Sequence, residues 1–316
     1  MLSYSAIIRQ AYHITIKNPI LWLFGLFVAG GFNLDFLQYQ NIPARQIGQS
    51  ISLKDLVAFL GSHPGALATL SLSLLIFSLL GLLVTNWCRV MLVLVVNNLL
   101  VNKRLVPARQ GGTPFSEQLA KGRKTLWPVI KISLTTSFLI VVAALGLFVP
   151  PLFITSNPQV QVLLWALAAV LFLPILFAVS SANIFTTYFI ILFGQKLKAA
   201  LNLGTDFFLS RWTEILGLVV ALGAVYLVGF FVGVSIIYLL KVVFRWFFEE
   251  FTVLSFSATI WIPNVVANVL IWLLLGLLNA FINTALLLLF LKLVTPVEHE
   301  DKVVDSVHPL TTPAGI

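Results

Sequence analysis

The chain has 316 residues, 59% hydrophobic and only 9% charged, with a mean hydropathy of +1.03. Soluble domains carry about 25% charged residues, so this balance excludes an ordinary soluble domain and predicts an integral membrane protein. The formal net charge of +8 would point to nucleic acid in a soluble chain. Here most lysines and arginines flank apolar runs, where they select membrane topology, and no basic stripe with interleaved aromatics stands clear of them. Nucleic acid is therefore not an expected partner.

Residues 3–18 read as an amphipathic helix lying in the headgroup region. Tyr4, Ile7, Ile8, Ala11 and Ile14 share one face, with Arg9, Gln10, His13 and Lys17 mainly on the other. Asn18-Pro19 breaks this helix, because proline lacks an amide hydrogen and restricts the residue before it. A first span over 20–37 follows, with Trp22 at the interface. A signal peptide cut near Val28-Ala29-Gly30-Gly31 is the competing reading, and the long amphipathic lead favours a retained helix. The polar stretch 35–64 is expected to hold a short helix, since Ser52 and Asp55 resemble a capping box and Leu53, Leu56, Val57 and Leu60 share a face. A second span covers 65–101. It carries a single ionisable side chain, Arg89, among Asn86, Trp87, Asn97 and Asn98, and meets Lys103 and Arg104.

The plan then recurs. Thr113-Pro114 is a helix start signal, and Phe115, Leu119, Gly122 and Leu126 form a stripe opposite Gln118, Lys121 and Lys124. Trp127-Pro128 is expected to open a third span over 129–154, ended by Pro150-Pro151. A fourth span follows over 160–193, with Pro174 as its expected kink. Leu197, Leu201, Gly204 and Phe208 repeat the stripe, and Trp212 precedes a fifth span over 214–240. An aromatic, charge-balanced segment at 241–251 suits the outer interface, with Glu249-Glu250 expected in a solvated turn. The sixth span runs over 260–291. Residues 295–316 are acidic, contain proline and lack periodicity, so a disordered cytoplasmic tail is expected.

The predicted fold is thus all-α: a single six-span membrane domain over 1–294. It is built from three tandem repeats of an interfacial helix and a helical hairpin, about 3–104, 113–194 and 195–292. A pseudo-threefold arrangement follows by analogy with parallel repeats in transporters. The segments on the side of both termini hold Arg9, Lys17, Lys103, Arg104, Arg109, Lys121, Arg123, Lys124, Lys196, Lys198, Arg211, Lys292 and Lys302. The opposite side holds only Arg45, Lys54, Lys241 and Arg245. The excess places both termini in the cytoplasm and the protein in a cytoplasmic (plasma) membrane.

Few residues suit chemistry. Arg89 is costly inside a bilayer and so faces protein, water or an anionic headgroup. One reading makes it an anion or lipid-phosphate contact, shared with Asn86 and with Ser180, Ser181, Asn183, Thr186 and Thr187. The other has it snorkelling to the cytoplasmic headgroups. Asn86, Asn183, Asn279 and Asn283 could line a polar path between the hairpins, or simply bond neighbouring helices together. Lys121, Arg123 and Lys124 are expected to form a collar against the anionic inner leaflet. Cys88 is the single cysteine, and the four histidines are scattered without ligand spacing, so neither a disulfide nor a metal site is expected. No nucleophile–base set is visible, so no catalytic residue, enzymatic activity or cofactor is expected.

The surface helix followed by Lys17-Asn18-Pro19-Ile20-Leu21-Trp22-Leu23-Phe24-Gly25-Leu26-Phe27 resembles a group of bacterial multi-pass proteins. It is similar to the membrane domain associated with glycerophosphodiester phosphodiesterases and to related stand-alone proteins. The resemblance implies an accessory membrane domain. The phosphodiesterase barrel has no counterpart here, and no catalytic residue is carried over. The expected function is a non-enzymatic scaffold or lipid-interacting protein. Its partners are the lipids of the anionic inner leaflet, with a second copy or other membrane proteins beside them. The alternative is a small-solute transporter or channel with an asparagine-lined path.

Overall fold

The computed structural model describes residues 3–28, 64–102, 115–155, 157–251 and 256–294. The helix expected near 53–60 and the tail over 295–316 lie outside these residues. Within them the chain is entirely helical between its turns. The helices are α1 (Tyr4–Lys17), α2 (Ile20–Val28), α3 (Pro64–Asn102), α4 (Phe115–Phe148), α5 (Pro151–Ile154), α6 (Pro158–Phe193), α7 (Leu197–Ser210), α8 (Trp212–Phe251) and α9 (Phe256–Val294).

Among the described residues, five stretches are long and apolar enough to cross a membrane: Ser71–Val101, Ser116–Ile154, Pro158–Phe193, Trp212–Phe244 and Val265–Val294. An integral membrane protein follows from them. The span expected over 20–37 is described only through α2, and its remainder lies outside the described residues.

Local chemistry sets the helix ends. At α1, the Asn18 side chain donates to Ile14 O at 2.6 Å and Trp22 Nε1 donates to Thr15 O at 2.9 Å. Asn18 N also donates to Thr15 O at 3.3 Å, so the carbonyls of the last turn are occupied and the break before Pro19 costs little. Asn157 caps α6 through Gln159 N at 3.0 Å, and Pro158 follows in the first turn, where its missing amide hydrogen is harmless. Gly194 ends α6 in the left-handed region (φ 64°), and its N–H returns to Ile190 O.

Two boundaries differ from the sequence reading. The stripe from Phe115 to Leu126 and the third span are one continuous helix through Pro128. Trp127 lies exposed beside Lys131, and the Thr125 hydroxyl donates to Lys121 O and Gly122 O within the continuing helix. The proline alone therefore does not end the helix. Likewise α8 continues to Phe251, so Glu249 and Glu250 are helical and not in a turn.

The core lies toward one end of the bundle. Val90, Val93, Val96 and Leu100 of α3, Phe185, Tyr188 and Ile191 of α6, and Ala285, Leu287 and Phe290 of α9 are all buried. Phe290 meets the rings of Phe185, Tyr188 and Phe189 at centroid separations of 6.0, 5.3 and 5.0 Å. The other halves of these helices expose Leu72, Phe77, Leu163 and Leu171, which is how apolar side chains sit when lipid is the solvent.

Close approaches rest on small residues, as is usual between membrane helices. Gly25 of α2 lies against Gly276 and Ala280 of α9, where a Cβ would come within 2.6 Å of Ala280 N. Gly122 of α4 meets Val90, Met91 and Leu94 of α3, and Gly204 of α7 abuts Thr186 of α6. The fully buried Ile7 and Ala11 belong to α1, which packs on α9.

Candidate functional site

The asparagines expected to share one polar path are each placed differently. Asn86 is buried on α3. Its amide donates to Leu82 O at 2.8 Å, and its oxygen accepts from the Ser133 hydroxyl of α4 at 2.6 Å. Asn279 and Asn283 donate to the carbonyls four residues earlier, Leu275 O and Asn279 O, both at 2.8 Å. These bonds turn polar side chains toward backbone of their own helix, a common arrangement for short amides in helices. Tyr188 donates to Asn283 O at 3.4 Å, and the neighbouring Thr187 is fully buried with its hydroxyl lacking a partner.

Arg89 is half-buried and lies near Tyr188 at the α3–α6 contact. It is adjacent in sequence to Val90, which touches Gly122, the residue between Lys121 and Arg123. The expected cationic collar and Arg89 are therefore at about the same height along the bundle. Lys121 is half-buried, while Arg123 and Lys124 are exposed.

Asn183 lines a groove of about 270 Å³ between α4, α6 and α7. The α4 wall includes Ile132, Thr135 and Leu139, and the α6 wall includes Ala178, Ala182, Asn183 and Thr186. Leu201, Thr205 and Leu209 of α7 complete it. Its rim leucines, Leu139, Leu201 and Leu209, are 50, 43 and 64% exposed, so the groove opens sideways off the bundle. The hydroxyls of Thr135 and Thr205 donate to Lys131 O at 2.9 Å and Leu201 O at 2.8 Å, which leaves the lining chiefly apolar. The Asn183 carboxamide oxygen is buried and has no hydrogen-bond partner.

At the α4 edge, Trp127, Lys131 and Thr135 follow one another at four-residue intervals and so share a face. The Lys131 ammonium sits 5.7 Å from the centre of the Trp127 ring, within cation–π range. Sequence reasoning had no functional role for Lys131, Thr135 or Ala182, and used Ala178 only as a small residue in the repeat alignment. The signals present were the Trp127–Lys131–Thr135 spacing and the Ala178/Ala182 pair, both easily lost in an apolar run.

No family model, curated protein or solved structure matches the chain.

Proposed function

We propose that this is a non-enzymatic integral membrane protein that holds lipid, acting as a lipid-interacting scaffold or accessory domain. The observation that carries the reading is the apolar groove between α4, α6 and α7, rimmed by exposed leucines, with the exposed Lys131 one helical turn from its lining residue Thr135. A groove of that lining, on helices long enough to span a bilayer, is bathed in acyl chains, and a cation beside it favours anionic headgroups. A solute path would need Asn86, Asn183, Asn279 and Asn283 in one wet cavity. The bonds of Asn86, Asn279 and Asn283 to backbone and to Ser133 weigh against it.

The proposal extends to architecture and setting. The surface-helix contacts follow one rule: α4 on α3 through Gly122, α7 on α6 through Gly204, and α1 on α9 through its Ala11 face. Each copy thus docks on the long inward helix of the copy before it, and the first closes onto the third. This supports three repeats and six spans, with 20–37 as the first. The excess of Lys and Arg on the terminal side supports two cytoplasmic termini in a plasma membrane, with Lys121, Arg123, Lys124 and Arg89 facing the anionic leaflet. Kinship with the phosphodiesterase-associated membrane domains is part of the same proposal and rests on residues 17–27.

The test is native mass spectrometry of the full chain extracted from membranes, wild type beside Ala182→Phe and Arg89→Ala. Filling the groove with a phenyl ring is expected to remove a co-purifying lipid that wild type retains. Loss in Arg89→Ala as well would add a headgroup contact at the collar. Identical lipid occupancy in wild type and Ala182→Phe would overturn the proposal.

A further inference from the structure

We infer that the lipid hydrocarbon ends at one polar layer of the bundle, where Trp127 and Lys131 meet the headgroups, and that the helix ends beyond this layer form a packed head standing out of the bilayer. The inference does not depend on whether the α4–α6–α7 groove holds lipid.

Length comes first. Helices α3, α4, α6 and α9 have 39, 34, 36 and 39 residues. At 1.5 Å per residue each is about 50–60 Å long, against roughly 30 Å of hydrocarbon. Tilt alone would have to exceed about 50° to absorb the excess, beyond the 0–40° of membrane helices. Part of each helix therefore leaves the hydrocarbon.

Burial identifies that part. In α3, Leu72, Phe77 and Leu80 are exposed, whereas no residue of 86–101 is. The same change occurs in α6, where 176–193 has no exposed residue, and in α9, where 274–291 has none. The stretches that do carry exposed side chains, 65–84 of α3 and 158–175 of α6, are each about 27–30 Å long. That is one bilayer core.

Polar groups gather where exposure stops. Ser133 of α4 donates to Asn86 of α3 at 2.6 Å, and Tyr188 of α6 donates to Asn283 O of α9 at 3.4 Å. Arg89 lies one turn beyond Asn86 and near Tyr188, and Lys131 shares the turn of Ser133. Segments 65–88 and 132–154, on the other side of these two cations, contain no charged residue. Trp127 and Lys131 are both exposed, with the ammonium 5.7 Å from the ring centre, the pairing of aromatic and cation that suits a membrane interface. Arg89 then carries its charge at headgroup height and avoids the cost of the bilayer centre.

The course of α4 sets what lies beyond. It is one helix from Phe115 to Phe148, and Gly122 meets Val90, Met91 and Leu94, farther along α3 than the contact of Ser133 with Asn86. Its first turns therefore continue outward beside α3 instead of lying flat on the membrane. Lys124 and Glu117 are exposed, about 10 and 21 Å beyond Lys131 along the helix. Each headgroup layer is only about 5–8 Å thick, so both clear it.

The experiment places spin labels on Glu117→Cys, Lys124→Cys, Lys131→Cys and Leu139→Cys, each in a Cys88→Ala background of the full chain in phospholipid nanodiscs. All four labelled positions are exposed, so the labels disturb no packing. Depth is read from accessibility to oxygen against a water-soluble nickel chelate. Leu139 should read about 12 Å inside the level of Lys131, and Lys124 and Glu117 should read as fully aqueous. Equal depth at Glu117, Lys124 and Lys131 is what a helix lying flat gives, and it would overturn the inference. So would oxygen-rich readings at Lys124 and Glu117 that match Leu139. Electron microscopy of the unlabelled wild type in the same nanodiscs needs no variant. Protein should stand about 20 Å beyond the disc on one face, the length of 86–101 at 1.5 Å per residue, and protein flush with both faces refutes the head.

Discussion

Asn86 and Asn183 occupy similar places on α3 and α6, yet their side chains meet opposite circumstances. Asn86 is satisfied on both its amide and its oxygen, the latter by Ser133 of the neighbouring helix. Asn86→Leu strands the Ser133 hydroxyl and should destabilise the bundle by about 0.6–1.7 kcal/mol, the span measured for polar contacts between membrane helices. A double-mutant cycle with Ser133→Ala, followed by thermal unfolding in detergent, should show that the two losses are not additive. Asn183→Leu removes an oxygen that has no partner. Its thermal midpoint should stay level or rise in delipidated protein, because an unpaired buried acceptor contributes nothing favourable. A fall as large as that for Asn86→Leu would show that Asn183 is structural. The sequence made both asparagines visible as polar groups in apolar runs. It could not say which was paired, since pairing depends on a residue of another helix.

For whole helices, the decisive contacts are those where side chains are missing. Gly204 brings α7 onto α6 so closely that a Cβ would lie 2.7 Å from Thr186 N. Gly204→Val should therefore lift α7 off α6 at a cost of about 1–3 kcal/mol, typical of overpacking. Gly223 has open space around it, so Gly223→Ala should be tolerated and serves as the control. The measurement is the thermal midpoint of the two variants in detergent. Because α7 forms one wall of the groove, Gly204→Val should also lower lipid retention, whereas Gly223→Ala should not. The stripe spacing that predicted surface helices located Gly122 and Gly204, and the apolar face around Ala11 did the same for the first copy. Which helix each would meet was not legible. Nor was the continuity of α4 through Pro128, because a proline can kink a helix without ending it, whereas at the end of α1 Asn18 and Trp22 take up carbonyls at the break.

At the level of the molecule, burial is concentrated at the end of the bundle where α1, α7 and the start of α4 pack on α9, α6 and α3. Lys121, Arg123 and Lys124 belong to this end, so it should face the cytoplasm if the charge asymmetry sets topology. The prediction uses a Cys88→Ala background with single cysteines placed at Lys124, Lys198 and Lys54. In sealed right-side-out vesicles an impermeant maleimide should label only the Lys54 position, and in inside-out vesicles only the other two. Labelling of Lys54 and Lys124 from the same side would reverse the six-span reading.

Composition and periodicity determined the class of this protein unaided. A chain with 9% charge and apolar runs longer than a bilayer is thick must satisfy its backbone in helices, because lipid offers no hydrogen bonds. Tryptophan, proline and cationic punctuation then placed most helix ends within a few residues. The groove was decided only in three dimensions. It exists because Ala178 and Ala182 of α6 face a gap between α4 and α7, and because Thr135, Asn183 and Thr205, far apart in the chain, line the same gap. An apolar helix presents nearly identical residues on every side, so its pattern does not record which side meets a neighbour and which is left for lipid.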